Sequence, residues 1–171
     1  MMKELSAEDK FSQNTGVAVH PFSPISSGHS KILILGTMPS VASRDGGFYY
    51  AHPRNRFWTV LAGSFGQPVP RSVAEKTELL LTNGVALWDV LASCEISGSD
   101  DSSIRNPMYN DIATLVSDRP IEKILCNGMK AYQLCLKLGL SLPVLPMPST
   151  SPANAAWSAE RLIEVWKLEL L

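Results

Sequence analysis

The apolar positions of this chain fall into blocks whose period changes along its length. Lys31-Ile-Leu-Ile-Leu35 is a short continuous apolar run ended by Gly36. A strand buried on both faces reads this way. Val85-Ala-Leu-Trp-Asp-Val-Leu91 reads as a second strand, Ile121 to Cys126 as a third and Pro143 to Pro146 as a short fourth. Between these runs the apolar residues recur at helical spacing. The spacing predicts helices over 55–65, over 71–83 with Asn83-Gly84 as stop signal, over 109–118 with Asn110 as cap, over 129–139 ending at Gly139, and over 153–169. Residues 93–106 read as a polar loop. Residues 1–30, rich in Ser, Pro and Gly, read as a partly ordered arm with a packed piece around Phe22 and Ile25. A single domain is then expected over 31–171. Strands that alternate with helices predict a three-layer α/β/α sandwich on a four-stranded, mostly parallel central sheet.

Such a sheet binds its ligands beyond the carboxyl ends of its strands. The unusual residues fall there: Gly36 to Ser40 after the first strand, Asp89 at the end of the second, Asn127-Gly128 after the third, and Pro148 to Asn154 after the fourth. Each also has a purely structural reading. Gly36-Thr37-Met38-Pro39-Ser40 can be a tight strand-to-helix turn. It is not a phosphate loop, because no Gly-Lys-Ser/Thr follows, and it lacks dinucleotide-fingerprint spacing. Ser151 and Pro152 can start a capped helix, whose N-terminus would also seat a phosphate. Asp89 can be a base, but a polar loop needs internal acceptors, and that role is favoured.

The segment from Gly46 to Trp58 crowds three adjacent aromatics, a His-Pro turn at His52, Arg54, Asn55 and Arg56 ahead of a helix. Phe57 and Trp58 fit the core face of that helix, whereas Tyr50 and Asn55 fit a site. Aromatic faces stack on bases and arginines hold phosphates. The 171 residues include 45% apolar and 18% charged residues, which is globular composition. No run approaches a membrane span. The N-terminal MMKELSAEDK has no apolar core, so a cytoplasmic protein is expected. Three scattered cysteines and three histidines offer no metal spacing, and no metal or organic cofactor is expected. The net charge of −1 does not point to a protein that coats nucleic acid, which would normally be basic, but leaves room for a local phosphate grip.

Taken in order, GTMPS, YYAHPRNRFW, GVALWDVLASCE, DSSI, ILCNGMKAY and LPMPSTSPANA resemble the hypoxanthine-DNA glycosylase family. That family is a branch of the uracil-DNA glycosylase superfamily, and the resemblance spans roughly 31–160. It implies excision of a deaminated base, hypoxanthine above all, and a monomer acting on damaged DNA is expected. It also implies that Asn55 is the catalytic amide. Most relatives carry an acid or amide where this chain has Met38, and the uracil-specific branches carry a His in the motif matched by Pro148 to Asn154. Gly36, Thr37, Met38, Tyr50 and Asn127 are then expected to form the base pocket, with Tyr50 stacking on the base. Pro148, Ser149, Thr150, Ser151, Asn154, Arg54 and Lys130 are expected on the DNA, with Asp89 and His52 beside the site. The rival readings are a uracil- or mismatch-specific glycosylase and a non-catalytic nucleic-acid-binding member of the fold. An unrelated hydrolase would need a nucleophile and base, and no Ser or Cys elbow accompanies His52.

Overall fold

Leu33, Ile34 and Leu35 have no exposed surface, because the strand that carries them is covered on both faces. In the computed structural model, which describes residues 15–171, the chain runs through β1 (Thr15–Val19), β2 (Ile32–Gly36), α1 (Val41–Gly46), α2 (Phe57–Ser64) and α3 (Val73–Thr82). It continues through β3 (Val85–Asp89), β4 (Leu91–Ser97), a 3-10 turn at Asp101–Ser103, β5 (Arg105–Tyr109) and α4 (Ile112–Asp118). β6 (Lys123–Asn127), α5 (Met129–Leu136), β7 (Val144–Met147) and α6 (Ala159–Leu170) follow. The central sheet has the order β3-β2-β6-β7 and is parallel throughout.

Alternation of side chains along each strand divides the core in two. Leu33, Leu35, Ala86, Ile124 and Cys126 pack with Ile112, Leu115 and Leu134 of α4 and α5. Ile34, Val85, Leu87 and Leu125 pack with Phe57, Leu61, Leu80, Leu162 and Trp166 of α2, α3 and α6. Helices therefore cover both faces, as the periodicity predicts. Gly63 lets α2 and α6 approach, since a Cβ there would lie 2.5 Å from Ile163 Cδ1. Among the described residues no helix is long and apolar enough to cross a membrane.

Several expectations are corrected. The apolar run 85–91 is two strands with a corner at Val90. There the Val90 N–H donates to the Gly36 carbonyl at 2.8 Å and the Leu91 N–H to that of Thr37 at 3.1 Å. Asn110, expected to cap a helix, instead spans the corner by donating from Nδ2 to the carbonyls of Asp89 and Leu91. Asp111 is the cap of α4. Half of the polar loop 93–106 proves to be strand, because β1, β4 and β5 form a second, antiparallel sheet. Its outer positions face solvent, so they need not be apolar. For the same reason residue 30 is no boundary in the described part of the arm. β1 pairs with β4 from Thr15↔Ser97 to Val19↔Ser93, and Ile25 bridges to Leu87. Residues 1–14 of the expected arm lie outside the described residues. The last helix starts at Ala159 under a Ser158 cap, since Ser149 and Ser151 spend their hydroxyls on local turns.

Candidate active site

The carboxyl ends of β2, β3 and β6, with the loops that follow β2 and β7, enclose a cleft of about 700 Å³. Gly36, Thr37, Met38, Tyr50, His52, Asn55, Asp89, Asn127, Ser149, Thr150 and Ser151 all line it. Pro148 and Asn154 line a second, more open groove beside it, together with Gly128, Met129 and Trp157. Ser149, Ser151 and Asp101 border both. Arg54 and Lys130 line neither concavity. The fold thus brings the segment at the start of the first crossover and the turn near the C-terminus to one rim.

A chain of hydrogen bonds ties them together. The Thr150 hydroxyl, fully buried, donates to Asn55 Oδ1 at 2.9 Å and accepts from Asn127 Nδ2 at 2.9 Å. Asn127 Nδ2 also donates to the Tyr50 hydroxyl at 3.1 Å, and its Oδ1 accepts from the Thr150 N–H at 3.0 Å. Asn127, expected to read a base, therefore spends both amide hydrogens and its carbonyl inside the protein. Asn55 Oδ1 accepts a second bond from the Phe57 N–H at 2.9 Å. Oδ1 is thus committed, and the Asn55 Nδ2 group is the part left for the cleft.

Tyr50 sits at φ 51°, a left-handed conformation that is uncommon for a bulky residue. One face of its ring stacks on Phe57, with centroids 4.0 Å apart and planes 20° apart. Burial, then the charge of Asp89, holds its hydroxyl well above the ordinary tyrosine range. The hydroxyl remains protonated and can donate. At the rim, the Asp101 carboxyl lies above the usual carboxylate range. Desolvation outweighs the downward pull of the Thr37 hydroxyl and of Lys130. Among the described residues, no group of three or more His, Cys, Asp or Glu side chains is placed to hold a metal ion.

The family model of the uracil DNA glycosylase superfamily matches residues 23–168. The chain belongs to this superfamily. It is 34% identical to a protein of Methanosarcina acetivorans named hypoxanthine DNA glycosylase, over 78% of this chain and 86% of that one. A protein of the same name from Methanosarcina barkeri is 31% identical over the same shares. A solution NMR structure from Methanosarcina acetivorans, presented as a candidate uracil DNA glycosylase, superposes with a TM-score of 0.78. The two share 30% identity, and the match covers 91% of this chain and 97% of that one.

One residue of this glycosylase-superfamily site, His20, escapes a reading of the sequence, and the role of another, Arg56, differs from the phosphate grip expected of the arginines. His20, in the expected arm, pairs with Asp89 at 2.8 Å. Nothing in its neighbourhood marks it, since the pairing spans 69 residues. Arg56 aims its guanidinium at the carbonyls of Thr150, Ser151, Asn154 and Trp157. It stands beside Arg54, which is exposed, and only the fold separates the arginine that builds the turn from the one that faces solvent.

Proposed function

We propose that the cleft receives one nucleotide flipped out of DNA and that the chain hydrolyses the N-glycosidic bond of a deaminated purine, hypoxanthine above all. The observation that carries this reading is the bonded line Asn55–Thr150–Asn127–Tyr50 along one wall of a single cleft. A base within a duplex is out of reach, so an enzyme that acts on it must extrude it. The cleft volume falls within the roughly 300–1,000 Å³ of sites that enclose a small ligand. Relatives named hypoxanthine DNA glycosylase support the choice of base.

As the bond to the sugar breaks, positive charge grows on the sugar and negative charge on the leaving base. Donors aimed at the base stabilise that charge. The protonated Tyr50 hydroxyl and the backbone around Thr37 and Met38 are suited to this. Phe57, stacked on the Tyr50 ring, fixes the plane in which that hydroxyl donates. Asn55 contributes an N–H rather than a carbonyl, which fits it to hold a water molecule. The water accepts that N–H with one lone pair and attacks the sugar with the other. An oxocarbenium-like sugar asks little deprotonation of its nucleophile, so an amide that cannot act as a base suffices; the proton that the water sheds once its oxygen has bonded to the sugar neutralises the departing base anion, and water is the only co-reactant. The Pro148–Ser151 turn would wedge the strand, with Arg54 and Lys130 on flanking phosphates. One chain supplies every part, so a monomer acting in the cytoplasm suffices.

The test is single-turnover base release from strands that contain deoxyinosine, deoxyuridine or deoxyxanthosine. Release is expected to be fastest from deoxyinosine. Asn55→Ala should lower the rate on the order of 10²–10³-fold if it orients the water. Undiminished release by that variant would remove Asn55 from the reaction.

A further inference from the structure

Of the ion pairs among the described residues only His20–Asp89 is buried, with side chains 2% and 5% exposed. The hydrolysis outlined above makes no use of it. The Phe22 N–H donates to His20 Nδ1 at 3.1 Å, so in the neutral ring the hydrogen resides on Nε2 and points at Asp89 Oδ2, 2.8 Å away. Edge contacts with Phe22 and a tilted contact with Tyr49 fix the imidazole plane. One carboxylate oxygen is therefore held by the histidine. The other, Oδ1, receives no donor from the described residues and lies against Gly36 at the cleft wall. A Cβ on Gly36 would fall 2.3 Å from Asp89 Oδ1 and 2.9 Å from Tyr50 Oη. The missing side chain leaves free the point that both oxygens approach. Tyr50 already accepts from Asn127, which leaves its own hydrogen for a further acceptor. The cleft thus presents an acceptor next to a donor.

We propose that this pair reads the lactam edge of the flipped base: Asp89 Oδ1 accepts from the ring N–H, and the Tyr50 hydroxyl donates to the adjacent carbonyl. His20 is the positioning residue that turns Asp89 toward the base. The assignment rests on the excision of hypoxanthine proposed above and supplies its specificity. Deamination of adenine converts a bare ring nitrogen beside an amino group into an N–H beside a carbonyl. A carboxylate attracts the second edge and repels the lone pair of the first. The parent base is refused by charge, even though its shape is nearly the same. A site built around a hydrogen bond rejects an analogue that lacks the group far more strongly than an apolar pocket does.

The discriminating substrate is 1-methyldeoxyinosine, in which a methyl group replaces the ring hydrogen. Release and binding are measured on this strand and on the deoxyinosine strand. The wild-type protein should prefer deoxyinosine by on the order of 10–100-fold, as the loss of a charge-assisted bond implies. Asp89→Ala should bring that ratio close to unity. His20→Phe, which keeps a ring and removes the donor, should lower it, and His20→Gln, which restores an N–H, should recover part of it. Should Asp89→Ala fold poorly by thermal unfolding, Asp89→Asn serves instead. Its amide oxygen satisfies His20 and turns an N–H toward the base, which penalises deoxyinosine alone. An unchanged ratio in the folded Asp89 variants, with both strands slowed alike, would overturn the proposal and leave the excision reading intact. Conversely, a wild-type protein that releases no base, yet binds deoxyinosine preferentially through Asp89, would uphold the recognition pair and overturn the hydrolytic reading.

Discussion

Thr150 is a buried residue whose hydroxyl has two jobs. It holds the Asn55 carbonyl in place and accepts one hydrogen of Asn127. Thr150→Val keeps the shape and removes both bonds. One Asn127 hydrogen then has no partner, and Asn55 is free to swing about its remaining bond to the Phe57 N–H. The variant should lose roughly 1–3 kcal/mol in urea unfolding, the usual cost of a stranded buried polar group. Its base-release rate should fall by about tenfold or more even where it is fully folded, and Thr150→Ser should restore both. The sequence marks Asn55, Tyr50 and the hydroxyl-rich turn as unusual, because polar and aromatic residues crowd where neither a core nor a loop needs them. It does not show how each side chain is spent. Asn127, at the end of β6, and Asn55, in the connection after β2, are both amides, yet one is saturated by neighbours and the other keeps its N–H free. Only the registration of strand ends decides this.

At the scale of elements, the turn after β7 depends on Arg56, which leads into α2. Its guanidinium fork meets several carbonyls of residues 150–157 at once. A lysine ammonium is a point charge and cannot match that geometry. Arg56→Lys should therefore loosen this segment: limited proteolysis is expected to cut within 150–157, and the thermal midpoint should drop. Arg54→Lys, on an exposed side chain, should do neither. The central strands are legible because they are covered on both faces and read as unbroken apolar runs. β1, β4 and β5 are not, since one face of their sheet is wet. Val17 and Val19 of β1 are 72% and 65% exposed, while Ser93, Glu95 and Ser97 alternate with Cys94 and Ile96. A half-buried strand among serines looks like a loop until its partner is known, and β1 and β4 lie far apart in the sequence. The cost of missing this sheet is to miss His20, which lies just past β1 and reaches the site only through that pairing.

For the whole molecule the decisive quantity is charge. Fifteen basic residues stand against sixteen acidic ones, and Asp100 and Asp101 border the open groove beside the cleft. A protein with this balance has no surplus of positive charge to spread over a broad phosphate contact. It must rely on the enclosed base, the wedge and a few cations, for which Arg54 and Lys130 are the candidates. Each neutralised phosphate of duplex DNA contributes a slope of about −0.9 to the dependence of log K on log salt. Binding of a deoxyinosine duplex, followed by fluorescence anisotropy from about 50 to 200 mM salt, should give a slope no steeper than about −4, as roughly four phosphates would produce. Arg54→Ala and Lys130→Ala should each flatten it by about one, without altering the preference for deoxyinosine over deoxyadenosine. A slope near −8 would mean that a basic surface elsewhere grips the duplex, and that the cleft contributes little to holding it. An unchanged slope in both variants would move the phosphate contacts to other side chains. The base preference, by contrast, should survive high salt, because it resides in short-range bonds inside an enclosed site that ions do not screen as they do the surface.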